Sequence, residues 1–244
     1  MKNIRLILEY DGTHFFGSQK QKKHRTVQGE LESALQKLFQ KKIKIIASGR
    51  TDSGVHAETQ VVNFRTNSKI PLFKIGQALN YYLPPDLAVI DAKEVPNSFH
   101  SQFSAKWKQY EYRVLNSKVR SPLGRFYTFH FPHPLNLAKM KRAARMLFGT
   151  HDFRAFESSG GRRKSAVRTI QKFQIQKRGD IIYFTVEANG FLYKMVRSMV
   201  GTLLEVGRSR LSFSDFKKIL SLKNRDLVGF TVPPHGLTLK QVIH

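Results

Sequence analysis

Residues 48–57 read SGRTDSGVHA and place one carboxylate, Asp52, on a stretch bounded by glycines. The residues on both sides have the apolar, β-branched composition of strands: 43–47 (IKIIA) precede the stretch and 60–65 (QVVNFR) follow it. The decapeptide is therefore predicted to be a loop that connects two strands. Gly49 and Gly54 leave its backbone free to bring Asp52 close to a ligand.

The rest of the chain alternates between strand and helix patterns. Strands are predicted over residues 4–10, 109–116, 170–176 and 180–188, the last two as a hairpin. Helices are predicted after an N-cap at Thr26 and over residues 72–82, 137–148, 191–206 (capped by Asn189 and Gly190) and 215–222 (behind Ser214). This order predicts an α+β fold with a mainly antiparallel sheet and flanking helices, in two halves, residues 1–104 and 105–244.

The chain is strongly basic. Its 244 residues hold 42 Lys and Arg against 17 Asp and Glu, a formal net charge of +25, and 41% of them are hydrophobic, enough for a core. Such an excess of one sign repels itself and is usually balanced by a polyanion, so nucleic acid is the expected partner. Because the sequence has no cysteine and no run of about 18 uncharged apolar residues, we expect no membrane span and a cytoplasmic protein.

Asp52 is the first candidate catalytic residue. An arbitrary turn aspartate is most often a surface group paired with a neighbour, here Arg50. The flanking glycines favour a functional interpretation, since they expose the acid. A carboxylate kept ionised by an adjacent guanidinium suits a nucleophile or a group that stabilises a developing cation.

Tyr110 and Tyr112 are predicted to lie on one face of a strand, at positions i and i+2. Packing across the sheet is one interpretation of this pair. The other is that one ring is a platform on which a flipped base stacks, an interaction worth about 1–3 kcal/mol per base.

A predicted helix in the second half carries two cations. Lys194, Arg197 and Gly201 share one face of it, apart from its apolar stripe. Arg197 is expected either to be solvated or to face phosphate or the catalytic acid. Residues 158–165 (SSGGRRKS) resemble a basic arm, and Arg162, Arg163 and Lys164 are expected to touch phosphate.

Cofactor and metal motifs are missing from the sequence. There is no P-loop and no G-x-G-x-x-G, which argues against nucleotide-cofactor chemistry. His130 and His133 are separated by a proline and have no neighbouring carboxylate, so no metal site is expected there. His56 is expected to fix the loop by hydrogen bonding rather than to act as a base.

Six stretches together resemble the tRNA pseudouridine synthase A family. The most specific is GRTDSGVHA at 49–57, and the others follow in family order: EYDGTHFFGSQ (9–19), QVVNF (60–64), FHSQFSAKWKQYEY (99–112), HDFRAF (151–156) and FLYKMVRSMVGTLLEVG (191–207). With GLTL at 236–239, the resemblance covers nearly the whole chain.

The resemblance implies isomerisation of uridine to pseudouridine in the anticodon arm of tRNAs, at positions 38 to 40, by a homodimer that needs no metal or organic cofactor. It also implies two sheet-and-helix halves around a central cleft. By motif, Asp52 matches the catalytic nucleophile and Arg50 the basic residue that helps to hold the base flipped out. Tyr110 matches the tyrosine that stacks on the uracil, and Arg197 the arginine paired with the aspartate.

The chain departs from the family pattern in three places: Ser18 replaces the usual tryptophan, Gln102 replaces a frequent arginine, and Pro234-His235 stand where a small residue is common. We expect these to affect tRNA contacts rather than the chemistry. The sequence does not choose among attack of Asp52 on C1′, its addition to C6, or abstraction of the 2′ proton to form a glycal. A non-catalytic RNA-binding protein that uses the same basic cleft is the alternative, although it would not require an acid on a glycine loop.

Overall fold

The structure is a computed structural model that describes residues 1–160 and 165–244. These residues form ten β-strands and five α-helices, which confirms the predicted α+β class. The strands are β1 Lys2–Tyr10, β2 Ile46–Ala47, β3 His56–Thr66, β4 Leu87–Val95, β5 Trp107–Leu115, β6 Phe129–His130, β7 Gly149–Asp152, β8 Val167–Arg178, β9 Ile181–Ala188 and β10 Leu237–Ile243. The helices are α1 Val27–Phe39, α2 Leu72–Tyr82, α3 Leu137–Ala144, α4 Met195–Gly207 and α5 Phe213–Leu222.

Contacts divide the chain into two compact units. The first consists of Met1–Lys106 together with Thr238–His244, and the second of Trp107–Leu237. None of the helices in the described part of the chain has the length and apolar character needed to cross a membrane.

The sheet of the first unit is built around β1, which pairs antiparallel with β4 on one side and with β3 on the other. The C-terminal strand β10 joins β3 in parallel, with Thr238 opposite His56. Alternation along β1 has the predicted result, because one face of the strand is buried in the core. That face consists of Ile4, Leu6, Leu8 and Tyr10.

The second unit contains an antiparallel sheet in the order β5, β9, β8, β7, with the short β6 parallel to β5. The predicted hairpin is confirmed: β8 and β9 turn at Gly179, which has a φ of +56°. Helix α3 contacts α4 and β8.

Several predicted boundaries hold and others are wrong. Helix α2 has the predicted bounds, and Thr26 caps α1 by accepting a hydrogen bond from the Gly29 N–H. The strand predicted over 43–47 is paired only at Ile46 and Ala47. Ile43 and Ile45 are buried all the same, so the alternation there reflects burial without strand pairing.

The helix predicted from residue 191 begins four residues later, at Met195. Its N-cap is Lys194, with a φ of +58°, and not Asn189-Gly190. The Asn189 side chain instead accepts the backbone N–H of Thr169 in the hairpin. Leu192 is buried in the turn before the helix. The apolar spacing in the sequence therefore begins before the helix does, which explains the early predicted start.

Two other helix ends also differ from the prediction. Helix α5 begins at Phe213 because Ser212, and not Ser214, forms a reciprocal capping box with Asp215. Helix α3 ends at Ala144 and continues as a single 3₁₀ turn.

Candidate active site

Asp52 occupies the first position of a tight turn between β2 and β3. The Val55 N–H donates a 3.2 Å hydrogen bond to the Asp52 carbonyl, and Gly54 has a φ of +77°. A residue with positive φ at the third position of a β-turn is favoured to be glycine. The turn leaves Asp52 half-buried and Ser53 exposed. The prediction of a loop is confirmed for 48–55, while His56 and Ala57 already belong to β3.

Residues 12–17 pack closely against the backbone of this turn. A Cβ on Gly12 would lie 2.1 Å from the Val55 carbonyl oxygen, and one on Gly17 would lie 2.9 Å from the Thr51 carbonyl oxygen. The Phe15 carbonyl accepts hydrogen bonds from the Gly54 N–H and the Ser53 hydroxyl. The turn is therefore held by backbone contacts that leave no room for side chains at these glycines.

A buried polar network fixes the residues just before Asp52. The Tyr10 hydroxyl lies 2.8 Å from the Thr51 hydroxyl, and the Gln60 side chain bonds the Ser48 hydroxyl and the Gly49 carbonyl. Burial raises the pKa of Tyr10 to about 12, against smaller opposing effects of its hydrogen bonds. Because buried polar groups are costly unless they are paired, this network specifies one loop conformation.

Ser18 is a site residue whose role the sequence did not reveal. Its hydroxyl accepts a 2.8 Å hydrogen bond from the Thr51 N–H, and only 6% of the residue is exposed. The Ser18 side chain thus bonds the residue that precedes Asp52. An effect of this departure from the family pattern on contacts with tRNA stays a prediction.

His56 has the predicted role, since its Nδ1 accepts the Gly12 N–H at 3.0 Å and so ties the loop to residue 12. Arg50 is exposed. The first unit thus carries Asp52 and Arg50 on the same loop.

Tyr110 and Tyr112 lie on the same face of β5, as predicted, and both are buried. Tyr110 is 8% exposed. Its ring packs edge to face against the Phe191 ring, with centroids 5.1 Å apart. Tyr112 is fully buried, and its hydroxyl donates to the Pro233 carbonyl at 2.7 Å. Burial raises the pKa of Tyr112 well above its usual value, and the nearby charge of Arg197 opposes this.

Arg197 is buried in α4, with 9% of the residue exposed. Its Nε–H donates to the Val232 carbonyl at 2.8 Å, and the Val232 N–H donates back to the Arg197 carbonyl at 3.3 Å. Residues 230–232 approach α4 so closely that only glycine fits at position 201, where a Cβ would lie 1.7 Å from the Phe230 carbonyl oxygen. Of the two alternatives for Arg197, the solvated one is therefore wrong, because every residue of α4 except Glu205 is buried.

Lys194 lies just before α4, and its Nζ is 4.9 Å from the centroid of the Tyr193 ring. Arg162, Arg163 and Lys164 lie outside the residues that the structure describes. In the described ranges, no three His, Asp or Glu side chains are grouped so that they could hold a metal ion. The second unit thus carries Tyr110, Lys194 and Arg197.

Comparison with known proteins identifies the family. A family model described as tRNA pseudouridine synthase matches residues 6–104 and 143–244. The chain is 46% identical to the tRNA pseudouridine synthase A of Thermoanaerobacter sp. (strain X514) over 244 residues, which is all of both chains. It is 46% identical to that of Halalkalibacterium halodurans over 238 residues, which is 97% of this chain and 90% of the relative.

Among solved structures, the chain is similar to a chain of the "Crystal Structure of a Cbf5-Nop10-Gar1 Complex". The identity is 11% and the TM-score 0.44, and the match covers 97% of this chain and 48% of that chain, about half its length. The family model and the full-length relatives agree with each other and with the aspartate signature at 49–57. The chain therefore belongs to the tRNA pseudouridine synthase family.

Proposed function

We propose that the protein isomerises uridine to pseudouridine in tRNA, with Asp52 as the catalytic nucleophile and the anticodon-arm uridines at positions 38 to 40 as targets. The observation that carries the proposal is the environment of Asp52. It is a half-buried carboxylate in a chain with a net charge of +25. The residues on either side of it, Thr51 and Ser53, are held by hydrogen bonds to Ser18, Tyr10 and Phe15. A negative charge in an RNA-binding protein opposes binding, so a chemical role accounts for it best.

The reaction breaks the bond between C1′ and N1, turns the uracil, and joins C1′ to C5. The proton on C5 is lost and N1 gains one, so atoms balance without an oxidant or an external group. Since the uracil is not released, no cofactor is needed to carry it. The target nucleotide first has to leave its stack, which costs a few kcal/mol.

The proposed roles of the other residues follow the family resemblance. Arg50, exposed beside Asp52, helps to hold the extruded nucleotide. Tyr110 stacks on the target uracil, and its contact with Phe191 fixes the orientation of the ring. Arg197 is the partner of Asp52, and its bond to Val232 fixes the guanidinium. A buried guanidinium is stable only when it is paired and hydrogen-bonded, which agrees with this role.

Positive charge supplies the rest of the affinity. Lys194 and the basic residues Arg162, Arg163 and Lys164 are proposed to contact phosphates of the anticodon arm, where each neutralised phosphate releases counterions. We also propose that the protein acts as a homodimer in the cytoplasm. Light scattering coupled to gel filtration measures the oligomeric state.

The direct test of this function is tritium release from tRNA that carries uridine tritiated at C5. Formation of the bond between C1′ and C5 must expel that atom. We expect release with unmodified tRNA, and none when cytidine replaces the uridines at 38 to 40. Tight tRNA binding without any release would identify a non-catalytic RNA-binding protein instead.

A further inference from the structure

A hairpin whose residues 19–24 are exposed adjoins the turn of Asp52. It runs from Phe16 to Arg25 and is closed by a bridge between Gln21 and His24. The Phe16 N–H donates to the Arg25 carbonyl at 2.9 Å, and the Gln21 side chain donates to the Phe16 carbonyl at 2.8 Å. Both backbone polar groups of Phe16 are thus engaged, so this residue is held in place although it lies at the surface.

The Phe16 side chain has a partner as well. Its ring stacks on the His24 ring, with centroids 4.4 Å apart and planes inclined by 21°. Nevertheless 52% of Phe16 is exposed, and His24 is exposed as well. Two aromatic rings held parallel at the surface form a flat apolar area, the kind of surface on which a nucleic-acid base stacks.

Arg25 anchors the hairpin to the first unit. Its guanidinium forms two 2.7 Å hydrogen bonds with the Asp86 carboxylate, a third bond with Glu30, and lies 4.3 Å from the centroid of the Phe15 ring. The hydrogen bonds from Arg25 hold the pKa of Asp86 below its usual value. An anchored platform loses little conformational entropy when a ligand binds.

The Phe16–His24 ring pair lies close to the turn that carries Asp52. The residues on either side of Phe16 both contact the turn: Phe15 accepts hydrogen bonds from Ser53 and Gly54, and Gly17 approaches the Thr51 carbonyl. The far end of the hairpin carries exposed lysines at 22 and 23, which suit a phosphate backbone.

We propose that the Phe16–His24 pair is a second stacking platform, which receives an RNA base that neighbours the target uridine. This inference rests on the proposed function. Extruding one nucleotide removes a stacking partner from the bases beside it, and a ring next to the catalytic turn replaces that partner. Stacking accepts any base, so the platform adds affinity without demanding a particular sequence.

The test compares tRNA dissociation constants of the full-length protein and its variants by filter binding. Phe16→Ala is expected to weaken binding about 5- to 150-fold, the range for one lost base stack, and Phe16→Tyr to restore it to within about threefold of the parent. With 2-aminopurine beside the target uridine, the parent protein is expected to quench the fluorescence and Phe16→Ala is expected not to. Parent-level tRNA affinity in Phe16→Ala would overturn the proposal.

The chain offers a matched control. Tyr81 is 84% exposed, and its ring meets the Tyr82 ring edge to face, with centroids 5.2 Å apart. It lies on α2, which packs against β4 and α1. Tyr81→Ala is expected to bind tRNA as the parent does, and an equal loss in both variants would overturn the assignment to Phe16. Tritium release by the parent protein tests the proposed function separately.

Discussion

The Thr51 N–H donates a 2.8 Å hydrogen bond to the Ser18 hydroxyl, and the Ser18 N–H donates back to the Thr51 carbonyl at 3.1 Å. Both residues are buried. This reciprocal pair fixes the backbone immediately before Asp52. A carboxylate that follows such a fixed backbone needs no rearrangement before it meets a substrate, and positioning of this kind lowers a reaction barrier.

Ser18→Ala removes the acceptor and leaves the buried Thr51 N–H without its partner, at a cost of about 1–3 kcal/mol to the loop conformation. We expect kcat to fall about tenfold or more while the tRNA dissociation constant stays within about threefold of the parent value. Single-turnover tritium release and filter binding measure the two. Ser18→Thr keeps the hydroxyl and is expected to recover part of kcat, whereas an unchanged kcat in Ser18→Ala would exclude a positioning role.

Gly201→Ala and Gly76→Ala change two helical glycines with opposite expected results. A Cβ at Gly201 would lie 1.7 Å from the Phe230 carbonyl oxygen, so residues 230–232 must move away from Arg197, and we expect a loss of about 3 kcal/mol or more in unfolding free energy. A Cβ at Gly76 would meet only Val89, at 3.7 Å. Its replacement is expected to be neutral or to stabilise α2 by up to about 1 kcal/mol. Urea unfolding of both variants checks this, and equal effects would contradict the described packing.

Tyr10 predicts a change of stability at high pH. Its pKa is raised by burial to about 12 in the folded protein, against about 10 in an unfolded chain. Tyr10 is therefore neutral in both states below pH 10. As the pH rises toward 12 the unfolded chain ionises first, so the free energy of unfolding falls, by about 2 kcal/mol at pH 11.5. Urea unfolding from pH 9 to 11.5 is expected to show a steeper decline for the parent than for Tyr10→Phe. Parallel curves would mean that Tyr10 ionises in the folded state as easily as in the unfolded state.

Salt dependence tests the role of the basic residues. We expect tRNA affinity to fall steeply between low and moderate salt, because bound phosphates release counterions. Replacement of Arg162, Arg163 and Lys164 together by alanine is expected to reduce the slope of log affinity against log salt by about two to three. Filter binding across a salt series measures both slopes. A flat series for the parent protein would argue against phosphate contacts as the main source of affinity.

Local patterns were sufficient for much of the fold. Helix α2 and the buried face of β1 follow directly from periodicity, since each depends on spacing within one segment. Periodicity reports burial rather than hydrogen bonding, and for this reason it predicts residues 43–45 and 191–194 to belong to elements that they only precede. The pairing of β10 with β3 joins residues about 180 positions apart and leaves no local signal.

The candidate site shows the same division. Asp52 stands out in the sequence because glycines and a lone acid are local features. Ser18 does not, since its importance arises from a hydrogen bond to Thr51 across 33 residues. The burial of Arg197 likewise depends on a distant segment that contains Val232. Neither Ser18 nor Arg197 has a local sequence feature that reveals its hydrogen-bond partner, Thr51 or Val232.

The Asp52 carboxylate is proposed to carry out the rearrangement of uridine. Asp52→Asn keeps the size and shape of the side chain and removes its charge. We predict that this variant binds tRNA within a few fold of the parent protein and releases no tritium from uridine labelled at C5. Measurable tritium release by Asp52→Asn would contradict the account.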